Sequence, residues 1–157
     1  MACESDAIAY ITSARRGKTG GIRLRSGRRK NGRETLMSAN FPEGRRVLVI
    51  EDEAMIAMML EDMLVDLGYF VVAVVSTPAH ALDIISAKML DAAVLDVNLG
   101  GATSFQVAEA LRKRKIPFVF STGYGPGGID GEYAAAPVLQ KPFTQSELGS
   151  KLAEILN

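Results

Sequence analysis

The sequence is poor in the residues that stabilise secreted proteins or anchor membrane proteins. Among its 157 residues there is one cysteine, Cys3, so no disulfide can form within the chain. It has no tryptophan and a single histidine, His80. No apolar run approaches the roughly 20 residues needed to cross a bilayer, and the first residues lack the pattern of a secretory signal. These absences predict a soluble, cytoplasmic protein without membrane contact.

The charge of the chain is divided between two unlike segments. Residues 1–46 carry 11 Lys and Arg against 4 Asp and Glu, which is +7, so residues 47–157 carry 18 − 11 = 7 bases against 18 − 4 = 14 acids, which is −7. The 48% hydrophobic content supports a sizeable core, and the length suits one domain with a tail. We therefore expect one acidic globular domain over residues 45–157, preceded by a basic extension over residues 1–44.

The basic extension has a composition typical of disorder. Between Arg15 and Arg33 it is rich in Gly, Ser and Arg, and Ile22 and Leu24 are its only large apolar residues, too few to offset the entropy of ordering. Met37 is an alternative start, which would leave residues 1–36 untranslated. The extension also suggests another function, a nucleic-acid-binding regulator acting through phosphate contacts. The absence of interleaved aromatic residues disfavours nucleic acid as a partner.

From residue 45 onward, strand and helix signals alternate. Short apolar, β-branched runs predict strands buried on both faces, and apolar residues at helical spacing predict the helices between them. The predicted strands span residues 47–50, 70–75, 92–96, 116–121 and 138–140, and the predicted helices span residues 54–67, 78–88, 104–114 and 144–156. Residues 97–103 are predicted to form a loop. Gly68 fits a helix C-cap, and Thr144 with Glu147 fits a capping box.

This alternation predicts an α/β protein with a doubly wound, five-stranded parallel sheet of the flavodoxin-like type, in strand order 2-1-3-4-5. Between the fourth and fifth strands lie Pro126, Pro137 and five glycines, so the fourth helix should be short, irregular or absent.

Chemically active side chains follow four of the five strands. They are Glu51, Asp52 and Glu53 after the first, Asp96 at the end of the third, Thr122 after the fourth and Lys141 after the fifth. The second strand is followed only by Ser76 and Thr77, which suits a position outside the first and third strands. Because ligands of such folds bind at the carboxyl ends of the strands, we expect these side chains to form one site.

Several carboxylates at one point repel one another unless a cation compensates or some of them protonate. With oxygen ligands and neither histidine nor cysteine nearby, Mg²⁺ is favoured over zinc or copper. Mg²⁺ keeps open positions that suit phosphate oxygens, so the set predicts phosphoryl transfer. In that chemistry a carboxylate attacks while a metal, a lysine and a hydroxyl neutralise charge, roles that Asp96, Mg²⁺, Lys141 and Thr122 fill.

The runs VLVIEDE at 47–53, VLDVNL at 94–99, STGY at 121–124 and LQKPF at 139–143 resemble the successive signatures of the response regulator receiver family of bacterial two-component systems. The resemblance covers residues 46–157. It implies that Asp96 is the phosphoacceptor, Asp52 a direct Mg²⁺ ligand, Glu51 a ligand through water and Asn98 a ligand through its backbone carbonyl. Thr122 and Lys141 would then contact the phosphoryl group. It also implies a cis bond between Lys141 and Pro142.

The same resemblance implies a signalling function rather than a catalytic one. The chain would be a phosphoacceptor regulator, not an enzyme, and a sensor histidine kinase would supply the phosphoryl group. With no output domain following in this sequence, the signal would pass to a downstream protein or a phosphotransfer partner, or the domain would act as a phosphate shuttle or sink.

One departure from the family pattern concerns the switch region, which comprises Thr122, Gly123, Tyr124 and Val138. Many receivers carry Tyr or Phe where this chain has Val138, which puts the usual threonine and aromatic switch in doubt. The run from Phe120 to Tyr124 resembles the FAT GUY subgroup, which implies a kinase partner of the HWE or a related class.

Other features have simpler interpretations. An aspartyl-nucleophile phosphatase on a similar sheet would need a second acid two residues after Asp96, where this chain has Asn98. His80 is interpreted as a solvated helix residue. The methionine-rich stripe, Met55, Met58, Met59 and Met63, is interpreted mainly as adaptable packing, with partner contact as the alternative. The basic residues 112–115 are interpreted as charges that complement a helix C-terminus.

Overall fold

A computed structural model describes residues 44–124, 129 and 131–157. The predicted disordered extension, apart from Gly44, and most of the glycine-rich run after Tyr124 lie outside these residues. Seven strands are present in the described part: β1 Arg46–Ile50, β2 Phe70–Val75, β3 Ala92–Asp96, β4 Asn98–Leu99, β5 Ala102–Thr103, β6 Phe118–Thr122 and β7 Val138–Gln140. The helices are α1 Ala54–Asp66, α2 Pro78–Ala87, α3 Phe105–Lys113 and α4 Gln145–Leu156.

Five parallel strands form one sheet in the order β2-β1-β3-β6-β7. Counted among these five strands alone, this is the predicted order 2-1-3-4-5, so the flavodoxin-like architecture is confirmed. The predicted strands and helices are all present, with ends that differ by one or two residues. Among the described residues, no helix has both the length and the apolar character needed to cross a membrane.

The core lies on both faces of the sheet. Val47 and Val49 of β1 pack on one face with residues of α1 and α4, whereas Leu48 and Ile50 pack on the other with residues of α2 and α3. All five residues of β3 are buried, and Arg46 is the only residue of β1 that is not. This two-sided burial explains why both strands are apolar throughout rather than alternating.

Local sequence signals set the helix ends. Gly68 follows α1 with a φ of +84°, in the left-handed region that a glycine C-cap favours. At the start of α4, the Thr144 hydroxyl accepts a hydrogen bond from the Glu147 N–H, and the Glu147 carboxylate accepts one from the Thr144 N–H. Both predicted caps are therefore confirmed.

The prediction of a plain loop over residues 97–103 is wrong. Asn98 and Leu99 pair with Thr103 and Ala102 in a two-residue antiparallel hairpin. The turn consists of Gly100 and Gly101, whose φ angles are +60° and +89°. Two successive positive φ angles define the tight turn whose twist suits a hairpin, and glycine adopts them without strain.

The connection between β6 and β7 has, in its described part, one 3₁₀ turn over Gly131–Tyr133. This is consistent with the predicted short or irregular fourth helix. Tyr133 is buried, and its ring stacks on Phe105 at 5.3 Å and meets Phe120 edge-on at 5.7 Å. This aromatic cluster therefore fixes the end of the connection against the α2 and α3 face of the sheet.

Candidate functional site

The predicted site residues meet at the carboxyl edge of the sheet. Glu51, Asp52 and Glu53 follow β1, Asp96 ends β3, Thr122 ends β6 and Lys141 follows β7. The pairing of β1 with β3 and of β3 with β6 places these strand ends side by side. Except for Glu51, they line one cleft of about 320 Å³ together with the hairpin glycines. Glu51 is buried and bonded to Lys141, which lines the cleft.

Lys141 joins the two buried acids of the site. Its Nζ donates hydrogen bonds of 2.7 Å to Glu51 Oε2 and to Asp96 Oδ2. Glu51 is 2% exposed and Asp96 is 7% exposed, so this ammonium group neutralises charge in surroundings that water hardly reaches. The cis bond between Lys141 and Pro142 that the resemblance implies is present.

The ionisation of Glu51 and Lys141 follows from this burial. Burial raises the pKa of Glu51 to about 7, against the hydrogen bond from Lys141, and the charge of Asp96 adds to the rise. Burial lowers the pKa of Lys141, but its bonds to Asp96 and Glu51 outweigh that effect and raise the pKa overall. Lys141 is therefore the fixed positive charge of the site at neutral pH, whereas Glu51 exchanges its proton in that range.

The hairpin holds Asp52 and the second oxygen of Asp96. The Gly100 N–H donates to Asp52 Oδ2 at 2.9 Å, and the Asn98 N–H donates to Asp96 Oδ1 at 3.1 Å. Asn98 is itself held by a bond from the Gly101 N–H to its side-chain oxygen at 3.0 Å. The sequence reasoning missed this role of Gly100 and Gly101, although a Gly-Gly pair between short apolar stretches is a known hairpin signal.

The switch residues lie on one side of the cleft. Thr122 is buried, and its hydroxyl accepts a hydrogen bond from the Tyr124 N–H at 3.1 Å. Gly123 and Tyr124 are exposed. Val138 lies opposite Phe120 in the β6–β7 pairing and packs against the core cluster that contains Phe120 and Tyr133. The rings next to Phe120 are those of Phe105, Phe118 and Tyr133, whereas β7 contributes Val138.

The acids of the site fit a hard divalent cation. One carboxylate oxygen from each of Glu51, Asp52 and Asp96 lies within 4.8 Å of the others. Lys141 contacts Glu51 and Asp96 but, within the described residues, no lysine or arginine pairs with Asp52. An oxygen-only set with uncompensated charge suits Mg²⁺ rather than metals that prefer nitrogen or sulfur.

Three interpretations of residues outside the site are also tested by the structure. His80 is exposed, as predicted. Arg112 and Lys113 lie in the last turn of α3, as predicted. The packing interpretation of the methionine stripe is wrong for Met55, Met58 and Met59, which are exposed on α1, whereas Met63 packs against the core.

Comparison with known sequences agrees with this geometry. The family described as response regulator receiver domain matches residues 47–153. The transcriptional regulatory protein TcrA of Mycobacterium tuberculosis is 34% identical over 134 residues, which cover 76% of this chain and 52% of TcrA. The chain spans about half the length of the curated relatives it matches. The matched region does not include the basic extension, on which the nucleic-acid alternative depends.

Solved structures show the same fold. SdrG from Sphingomonas melonis Fr1 is 48% identical with a TM-score of 0.66, over 73% of this chain and 98% of SdrG. The receiver domain of a sensor histidine kinase from Pseudomonas aeruginosa is 25% identical with a TM-score of 0.63, over 72% of this chain and 98% of that domain. That structure has a magnesium ion coordinated in its active site cleft. The sheet order, the acidic cleft and the family match together establish that this chain belongs to the response regulator receiver domain family of two-component signalling proteins.

Proposed function

We propose that Asp96 accepts a phosphoryl group from the phosphohistidine of a sensor histidine kinase. A carboxylate oxygen of Asp96 attacks phosphorus, the P–N bond breaks with its electron pair remaining on the imidazole nitrogen, and an acyl phosphate forms. The observation that carries this proposal is the contact of Lys141 with Asp96 at 2.7 Å inside a cleft that Thr122 also lines. The contact holds Asp96 Oδ2 in place while Oδ1 is held from the hairpin.

The acids around Asp96 are proposed to hold Mg²⁺. Asp52, Asp96 and the backbone carbonyl of Asn98 would bind it directly, and Glu51 would bind it through water. Bound Mg²⁺ would neutralise the negative charge that develops on the phosphoryl oxygens. Lys141 contacts Asp96 directly, so this chain's own cation neutralises the same group as well.

Thr122 is proposed to transmit the phosphorylated state. Its hydroxyl oxygen accepts from the Tyr124 N–H, which leaves its proton free to bond a phosphoryl oxygen. Movement of Thr122 toward the phosphoryl group would therefore shift the backbone at Tyr124, which is hydrogen-bonded to the Thr122 hydroxyl. Val138 lacks a ring that could rotate, so the change is proposed to pass through the segment after β6 rather than through β7.

The phosphoacceptor assignment is tested by intact-mass measurement after incubation with acetyl phosphate, with and without Mg²⁺. Wild type should gain one phosphoryl group only when Mg²⁺ is present, Asp96→Asn should gain none, and Asp83→Asn, at an exposed acid on α2, should behave as wild type. Equal labelling of wild type and Asp96→Asn would remove Asp96 from this role. Labelling of wild type without Mg²⁺ would contradict the proposed role of the metal.

The role of Thr122 is tested by a fluorescent reporter. The chain has no tryptophan, so Tyr124→Trp places a single reporter at the exposed end of the switch region. Beryllofluoride with Mg²⁺ should shift its emission, and the shift should be absent when Asp96→Asn or Thr122→Ala is added. A shift that persists with Thr122→Ala would contradict the proposed coupling.

The partners are inferred from the family. A sensor histidine kinase, of the HWE or a related class, is proposed as donor, with a downstream protein or phosphotransfer partner as receiver of the signal. Phosphotransfer from purified kinases of the HWE class and of another class to this chain compares the two directly. Faster transfer from the second class would contradict the subgroup assignment.

A further inference from the structure

The surface of α1 carries an apolar groove with acidic residues. It is lined by Met55, Met58, Met59, Asp62, Met63 and Asp66, and its volume is about 350 Å³. These side chains recur at spacings of three and four residues and therefore lie along one side of the helix. Met55 is 85% exposed and Met58 is 65% exposed. A row of exposed methionines is an adaptable apolar surface that suits a bound peptide segment.

The charge of α1 is uncompensated in the described part of the chain. The helix contains Glu61, Asp62 and Asp66 and no lysine or arginine, and none of the described ion pairs includes these acids. Asp66 is the last residue of the helix, where the helix dipole disfavours a negative charge. A basic occupant would relieve this repulsion, whereas a second copy of the same groove would add to it.

The chain itself carries a matching basic segment. Residues 22–33 contain six basic side chains and no acidic one, together with two large apolar residues, Ile22 and Leu24. Apolar side chains for the methionines and guanidinium groups for the acids are therefore present in twelve consecutive residues. Residues 22–33 contain no aromatic side chain on which a nucleic-acid base could stack.

The point of attachment lies within reach of the groove for this segment. The Gly44 N–H donates to the Gly68 carbonyl at 3.0 Å, so the preceding chain enters the domain next to the end of α1. From Asp66 to Met55 the groove runs about 16 Å at 1.5 Å per helical residue. Ten residues separate Arg33 from Gly44, and a chain of that length can reach up to about 36 Å. Such tethering also gives the segment a high effective concentration at the groove.

We propose that residues 22–33 dock in the methionine groove of α1 within the same molecule. The apolar side chains cover the methionines while the arginines pair with Asp62 and Asp66. Met55 lies three residues after Asp52, so the docked segment would border the acidic cleft.

Oxidation of methionine by dilute hydrogen peroxide, followed by peptide mass spectrometry, tests this in the full chain. Met89 is 66% exposed and lies outside the groove, which makes it a matched internal control for Met58. If the segment occupies the groove three quarters of the time, Met58 should oxidise about fourfold more slowly than Met89. Replacing Arg28, Arg29 and Lys30 with glutamate should bring the two rates together.

Charge reversal in the groove separates docking from an unspecific effect. Asp62→Arg with Asp66→Arg should also remove the protection of Met58, and combining it with the glutamate variant should restore it. Protection should weaken between about 0.1 M and about 1 M salt, because the screening length falls from about 10 Å to about 3 Å. Equal oxidation of Met58 and Met89 in wild type would overturn the proposal. Protection that survives the glutamate variant, or that grows with protein concentration, would overturn it too, the latter by assigning the groove to a second copy.

Discussion

Replacement of Lys141 by methionine removes the only cation that contacts the two buried acids in the described residues. The substitution keeps most of the side-chain volume and deletes the charge. Because a buried charge without its partner costs about 3 to 5 kcal/mol, we expect Lys141→Met to lower the free energy of unfolding by about 3 kcal/mol near pH 6.

The pH dependence of this loss follows from Glu51. Its pKa is raised from 4.5 to about 7 in the folded protein, so it stabilises the fold below its unfolded pKa and this stability is lost as the pH rises toward 7. In wild type the decline levels off above pH 7, as Glu51 becomes ionised and pairs with Lys141. Without Lys141 the pKa of Glu51 rises further, and the decline continues. The difference between the two proteins should therefore widen by about 1.4 kcal/mol for each pH unit above 7.

Urea unfolding followed by circular dichroism, with EDTA present and at a series of pH values, measures this difference. Lys151→Met is the matched control, because Lys151 pairs with Glu154 at the surface of α4 and should contribute less than about 0.5 kcal/mol. The reasoning is refuted if the two lysine variants lose the same stability. It is equally refuted if the loss in Lys141→Met stays constant from about pH 6 to about pH 9.

Three further substitutions have expected effects that unfolding experiments can check. Asp91→Ala should lower the free energy of unfolding by about 1 kcal/mol at neutral pH, since the partly exposed Arg46 lowers the pKa of Asp91 to about 2. The difference between wild type and Asp91→Ala should shrink as the pH falls from about 4 to about 2, and a constant difference over that range would contradict the prediction. Gly100→Ala should cost about 1 to 2 kcal/mol because alanine disfavours a φ of +60°, and isothermal titration should show weaker Mg²⁺ binding beside Asp52; wild-type stability would refute the strain. Phe120→Ala should cost about 3 to 5 kcal/mol, since the ring is fully buried among other aromatic rings, and a loss below 1 kcal/mol would contradict that packing.

The sequence was sufficient to predict the sheet order and the meeting of the side chains that follow the strands. Strands buried on both faces have an unbroken apolar pattern, and in a parallel sheet whatever follows such strands must meet at one edge. Glu51 and Asp96 were therefore placed together although 45 residues separate them. The same reasoning placed Lys141 near them, because it follows the last strand.

Three features were beyond that reasoning for physical reasons. The strands of the hairpin around Gly100 have two residues each, too few to show a pattern of alternation. The exposure of Met55 and Met58 was missed because apolar residues occur on nearly every side of α1, so periodicity alone does not show which side is buried. The direct contact of Lys141 with Glu51 depends on side-chain geometry, which spacing along the chain does not contain.

The burial of β1 and β3 on both faces has a consequence for the mutational tolerance of this domain. A strand with one wet face accepts substitutions at every second position, whereas nearly every position of β1 and β3 contacts a core. A saturation library selected for folding should thus show two uninterrupted intolerant blocks. Replacement of Glu51, which follows β1, or of Asp96, which ends β3, should be selected against most strongly when signalling is required. The chain's architecture and its chemistry would then be separable in one experiment, by comparing survivors of the two selections.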